Sequence, residues 1–282
     1  MISVVMPTHR RPPFLSTTLL SVMSQSCGEF ELVVVDASPD RYFEEEFKRV
    51  SSEDRLLRKY ESRFCKIRVV KPTEGTGLPG RMKMDGFRNC VQDNDFCVFL
   101  DHDDFLYGDA IKNIYHAGSY FPNTEMVGMD YTSMMLVDGM VYTNKKTFMG
   151  GTPFRTIDSI YIDDRYYRFS GKQDVYRGTH PFKSANKPII ISKKALREKR
   201  FSFIEDTETM DDCGFAVMSH ALVETYVNAI GYVYVGYRNS NSVSRRKVSG
   251  TANLVMERCK AYEEMLDAVG YSKHRNILET EN

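Results

Sequence analysis

The chain has 282 residues, 42% hydrophobic and 27% charged, which is ordinary globular composition with enough length to bury a sizeable core. Lys and Arg number 38 against 38 Asp and Glu, so no net field draws the chain to nucleic acid. No run approaches the ~20 apolar residues of a membrane span.

The opening Ile2–Met6 run is short, β-branched and apolar, a strand buried on both faces. Pro7 stops it too early for a signal-peptide core. Six scattered cysteines without a CxxC pair argue against structural zinc and for reduced thiols, so the expected location is cytoplasmic. A turn at 7–13 leads to Phe14–Ser26, whose apolar residues 15, 19, 22 and 23 have helical spacing. Phe30–Val35 is a second strand ending at Asp36, and about Asp40–Tyr60 a charged helix. Ile67–Lys71 is a third strand, Pro72–Gly80 a Gly/Pro loop, Arg81–Val91 a helix, and Phe96–Leu100 a fourth strand. Repeating strand–helix–strand units predict a mostly parallel sheet, with ligands beyond the carboxyl ends of the strands. Asp36 and Asp101 both stand there.

Asp109–Phe121 is a helix, followed by strands at Met126–Asp138 and Gly139–Thr143. Residues 144–186 show no clear period and read as an acceptor-binding loop or lid. Lys187–Ser192 is a strand, Asp211–Leu222 a helix, Tyr226–Tyr237 a strand and Ala252–Val269 a closing amphipathic helix. The expected organisation is one domain over residues 1–240, with a nucleotide half to about 110 and an acceptor half from about 111. A helical extension at 241–282 completes the chain.

Asp101, Asp103 and Asp104 crowd into four residues at the mouth of a buried strand. Carboxylates so close need a counter-charge, and hard oxygen ligands suit Mg²⁺ or Mn²⁺ with positions open for phosphate. A solvated turn whose Asp104 or Asp109 caps the next helix explains the same letters.

Ser3-Val4-Val5-Met6-Pro7-Thr8-His9-Arg10-Arg11 with Phe30–Asp36 resembles the opening of family 2 glycosyltransferases of the GT-A fold. Arg88-Asn89, Val98–Asp104, Asp211–Ala216 and Tyr237–Ser244 resemble later blocks of that family in the same order. The resemblance implies a GT-A-like α/β sheet flanked by helices and an inverting transfer of a sugar from an NDP-sugar, UDP-sugar favoured, to an acceptor hydroxyl. It implies Asp36 at the nucleotide base, Asp101 at the ribose, Asp103 at a divalent metal, and Pro7, Thr8, Arg10 and His102 in the donor pocket. Asp212 becomes the catalytic base, with Asp211 beside it and Glu205-Asp206 as a second candidate. Asp36 reads equally as a cap, Arg10 as a surface charge, and Asp211-Asp212 as acids favouring a helix N-terminus. The family usually shows two acids after its second strand; here the run is Asp36-Ala37-Ser38-Pro39-Asp40. A metal-binding histidine often found in its closing segment is replaced near Asn239 and Ser240, and His180 is a possible substitute.

Two rival readings remain. Gly75-Thr76-Gly77-Leu78-Pro79-Gly80 formally satisfies GxGxxG, which would suit an NAD(P)-dependent oxidoreductase. Against it, Pro72-Thr73-Glu74 separates strand from first glycine, and Pro79 removes a backbone donor from the phosphate turn. In the transferase reading this loop lines the donor pocket, with Arg81, Lys83 and Arg88 as phosphate partners, though Lys83 reads equally as a solvated helix charge. The other rival is an inactive glycan-binding module, with Tyr161, Tyr166, Tyr167 and Tyr176 stacking on sugar rings. The expected partners are thus an NDP-sugar and a glycan or other hydroxyl acceptor, with no nucleic acid, and with peripheral membrane contact open through a lipid-linked substrate.

Overall fold

The computed structural model describes residues 1–9, 15–26, 30–39, 42–53, 65–73, 77–91, 95–137, 140–146, 159–163, 166–170, 189–207, 211–212, 215, 218, 222–223 and 225–238. Arg10, His180, Asn239, Tyr176, the expected 252–269 helix and the whole 241–282 extension lie outside these residues.

Strands β1 (Ile2–Thr8), β2 (Phe30–Asp36) and β4 (Phe96–Phe99) are buried along their full length. Together with β3 (Cys65–Val70) they pair in parallel in the order β3-β2-β1-β4. Alternate side chains of these strands feed two cores. On one face Val4, Met6, Leu32, Val34 and Val98 meet α1 (Leu15–Met23) and α4 (Ala110–Tyr120). On the other face Val5, Val33, Cys97 and Phe99 meet α3 (Pro79–Arg88) and α5 (Lys193–Glu198), with Phe215 and Met218. Helix α2 (Tyr42–Glu53) packs beside α1 through Phe43 and Phe47. The expected α/β/α layering is present.

Beyond β4 the sheet is mixed. β10 (Ile189–Ser192) runs antiparallel to β4 and to β6 (Met126–Val137). β6 then pairs in parallel with β11 (Thr225–Arg238), which also holds the short β5 (Phe105–Leu106) and antiparallel β9 (Tyr166–Ser170). β7 (Met140–Lys146) folds back on β6, and β8 (Ser159–Asp163) on β9. The expectation of mostly parallel pairing therefore applies to β1–β4, where helices make the crossovers.

One correction concerns the 144–186 stretch, expected to be irregular. It contains the β8–β9 hairpin, so Tyr161, Tyr166 and Tyr167 stand in strands rather than in a loop. Tyr and Ile suit a pleated strand even when charged residues interrupt the alternation, which is why the period-two signal was faint.

Candidate functional site

The carboxyl ends of β1, β2 and β4 form one edge. Thr8 and Asp36 are register partners, and Asp101 follows β4 after one residue, with Leu100 N–H donating to the Val5 carbonyl at 2.9 Å. The acidic turn is clamped from both sides. The His102 ring Nδ1 lies 3.1 Å from the Pro7 carbonyl, and the Thr18 hydroxyl of α1 donates to the His102 carbonyl at 2.8 Å. Asp104 N–H donates to the Asp101 carbonyl at 3.1 Å, closing the turn. One carboxylate oxygen from each of Asp101, Asp103 and Asp104 can lie within 4.8 Å of the others. An all-carboxylate set that is only partly buried fits a hard divalent ion such as Mg²⁺ or Mn²⁺.

Asp36 is 2% exposed. Its Oδ1 accepts from the Ser38 N–H, and its Oδ2 from the Lys71 ammonium, both at 3.0 Å. The capping role read from the sequence is therefore present, at the carboxyl end of β2. Lys71, a residue the sequence reading passed over, is mostly exposed and could move aside.

Lys83 corrects an expectation. A solvated helix charge would be exposed, yet Lys83 is 4% exposed. Its ammonium lies 3.1 Å from Asp101 Oδ1 and 2.9 Å from Asp211 Oδ2, and 5.1 Å from the centre of the Phe203 ring. Helix α3 turns this residue inward because Gly86 lets the helix lie directly on β1; a Cβ there would meet Val5 at 2.3 Å. The pattern Met82, Met84, Phe87 already marked α3 as amphipathic, and the buried lysine sits on its apolar side. The stem of a lysine packs as a hydrophobe while its head finds acids.

Gly77 and Gly80 of the glycine motif are packed against protein. Gly77 has φ +64°, the left-handed conformation glycine tolerates best, and a Cβ there would meet the His9 ring at 2.8 Å. A Cβ on Gly80 would stand 2.1 Å from the Ile204 carbonyl oxygen. The space beside Gly80 at the N-terminus of α3, where a dinucleotide pyrophosphate would lie, is thus taken by the Ile204 backbone and Asp211. This argues against the oxidoreductase reading on geometry. Ile204 N–H in turn donates to the Asp211 carbonyl at 2.9 Å, which ties Asp211 to the same corner.

Arg81 and Arg88, expected at phosphate, approach Glu205 at 3.9 and 3.8 Å, and Arg88 also pairs with buried Asp85 at 2.8 Å. Glu205 is therefore held by two cations, while Asp206 is exposed. Asp212 is partly buried, next in chain to Asp211, and helical turns recur at 212, 215, 218 and 222. Among the described residues, three buried side-chain polar atoms have no hydrogen-bond partner: Thr8 Oγ1, His9 Nδ1 and Thr207 Oγ1. Thr8 ends β1 as the register partner of Asp36, and His9 follows it. Buried polar groups are rarely left unpaired without a reason. Thr207 carried no sequence signal, since a single polar letter in a loop has no period.

Cys90 and Cys97, in the core on the α3 face of the sheet, form no disulfide. Burial pushes the Cys97 thiol well above its ordinary value, while a hydrogen bond with Cys97 lowers that of Cys90. No helix among the described residues is long and apolar enough to cross a membrane.

Residues 3–117 match the family model described as Glycosyl transferase family 2. A curated relative, "Succinoglycan biosynthesis protein ExoW" of Rhizobium meliloti (strain 1021), is 28% identical over 121 residues. That match covers 43% of this chain and 34% of ExoW, so the shared part is about a third of the relative's length. Among solved structures, S. aureus TarS 1-349 superposes with TM-score 0.60 at 15% identity, covering 94% of this chain and 69% of that one. The same protein in complex with UDP gives 0.61 at 15%, over 93% and 64%. In complex with UDP-GlcNAc it gives 0.58 at 16%, over 94% and 70%. The GT-A-like fold expected from the sequence is shared across nearly the whole chain.

Proposed function

We propose that this chain is a family 2 glycosyltransferase, a reading supported by the match of residues 3–117, and that it moves a sugar from a nucleoside-diphosphate donor to a glycan-type hydroxyl with inversion at the anomeric carbon. One observation carries the reading: Asp36 and the Asp101–Asp103 pair stand at the carboxyl ends of β2 and β4, on either side of β1 and the Thr8 hydroxyl, which has no hydrogen-bond partner. UDP-sugars are the first donors to test, since a protein of the same fold has been solved with UDP and with UDP-GlcNAc.

Asp36 takes the nucleotide base, exchanging its contact with Lys71 for a donor on the ring. Asp101 faces the ribose, while Thr8 offers its hydroxyl and His102 holds the acidic turn against Pro7. Arg10 is the residue proposed to meet the diphosphate. A divalent ion, Mn²⁺ or Mg²⁺, bound at Asp103 with Asp104 alongside, would supply positive charge against the departing diphosphate. Asp212 acts as general base. Its carboxylate takes the proton of the acceptor hydroxyl as that oxygen bonds to the anomeric carbon, and the bond to the diphosphate oxygen breaks on the opposite face. A single displacement inverts the configuration. Glu205 suits the base role less well, because two arginines approach its carboxylate.

The test is a panel of nucleotide sugars and NAD(H), each with and without Mn²⁺, read by thermal unfolding and by donor hydrolysis. UDP with metal should raise the unfolding temperature, and one UDP-sugar should turn over. Stabilisation by NAD(H) alone would overturn the reading.

A further inference from the structure

We infer that Lys83 is a positioning residue that fixes the donor carboxylates and the acceptor-side acids to one another. It joins three segments distant in sequence: α3, the turn after β4, and the chain entering the Asp211 helix. Its ammonium contacts Asp101 Oδ1 at 3.1 Å and Asp211 Oδ2 at 2.9 Å, with its side chain 5% exposed and those of Asp101 and Asp211 20% and 10% exposed. Two carboxylates that share one cation repel each other once it is removed, and partial burial leaves little water to screen them. Asp211 is also held to this corner by the Ile204 N–H and the close approach of Gly80. Lys83 thereby sets where Asp212, the next residue, stands relative to a sugar whose ribose end rests on Asp101. It also gives Asp101 its own resident cation, so a divalent ion is left to Asp103 and Asp104 within the same cluster. Lys83 touches neither sugar nor nucleotide in this role, in contrast to the phosphate contact read from the sequence.

The inference rests on the transferase reading, and the experiment separates the two. Wild type, Lys83→Met and Lys83→Arg are compared in the full chain for kcat and KM in donor hydrolysis, below the unfolding temperature of each variant. Lys83→Met should lose at least tenfold in kcat with KM for the donor changed less than threefold. Lys83→Arg should regain most of the loss, because a guanidinium can also bridge two carboxylates. A folded Lys83→Met with wild-type kcat overturns the inference while leaving the transferase reading intact. Equal impairment of the two variants overturns it too, since the role would then be one of shape. Thermal unfolding tests the bridge without activity: Lys83→Met/Asp211→Asn should unfold at a higher temperature than Lys83→Met alone, because it lacks one uncompensated charge. A double variant no more stable than the single one means that the bridge does not restrain Asp211. A wild-type protein inert toward every nucleotide sugar would instead defeat the transferase reading itself.

Discussion

Gly80→Ala is the sharpest structural perturbation available at this site. The added methyl carbon would stand 2.1 Å from the Ile204 carbonyl oxygen and 3.1 Å from Asp211 Cβ. A relaxed carbon–oxygen contact needs about 3.3 Å, so α3 and the Ile204–Asp211 segment must part by about an ångström. The atom in the way belongs to the backbone, which cannot rotate aside like a side chain. Overpacking of this kind costs about 1–3 kcal/mol. The larger effect is functional. The same displacement loosens the Ile204–Asp211 hydrogen bond and carries Asp212 with it, and an ångström of misplacement can cost ~100-fold in rate. Gly108→Ala is the control, since a Cβ there meets nothing within 4 Å. Chemical unfolding and donor-to-acceptor transfer are measured on both variants. The reasoning fails if Gly80→Ala unfolds and turns over like wild type, or if Gly108→Ala is equally damaged.

Three other outcomes follow from the structure. Asp212→Asn should keep stabilisation by UDP and Mn²⁺ in thermal unfolding yet lose transfer by ~10²–10⁴-fold, the usual worth of a general base; normal turnover would mean the base is elsewhere. Lys71→Met should lower stability by no more than about 1 kcal/mol, because its ion pair with Asp36 is made by a lysine 63% exposed to solvent; a loss well beyond that in urea unfolding would contradict the geometry. Hydrogen bonds from Arg49 hold the Glu46 carboxyl below its ordinary 4.5. A lowered acid stabilises the fold above its unfolded value, and that contribution disappears as pH falls through the folded value. Arg49 is half-exposed, so the contribution stays under about 1 kcal/mol. Between pH 7 and pH 3 the wild type should therefore lose slightly more stability than Arg49→Ala, and the opposite order would refute the assignment.

The N-terminal parallel sheet was legible because its signals are local and strong. β1, β2 and β4 are continuous apolar runs, and each is fully buried as such runs must be. Asp36 and Asp101 end two of those runs, so their place at the carboxyl edge could be read from position alone. The mixed part of the sheet beyond β4 was harder. β8 and β9 mix Tyr with Asp and Arg, and α5 is six residues long, too short for a helical period to show. The solvated reading of Lys83 failed for a different reason. A lysine on an amphipathic helix is normally solvated, and only the folded chain brings Asp101 and Asp211 to it from 18 and 128 positions away. The same holds for Gly80, whose need for a missing side chain depends on a carbonyl far along the sequence.

The account turns on nucleotide recognition at the edge shared by β1, β2 and β4. A crystal structure of the full chain with UDP and Mn²⁺ tests this most directly. The uracil should rest on Asp36, the ribose near Asp101 and the metal at Asp103, with Lys83 still between Asp101 and Asp211. A nucleotide seated at another surface, with this edge unchanged and free of metal, would contradict it.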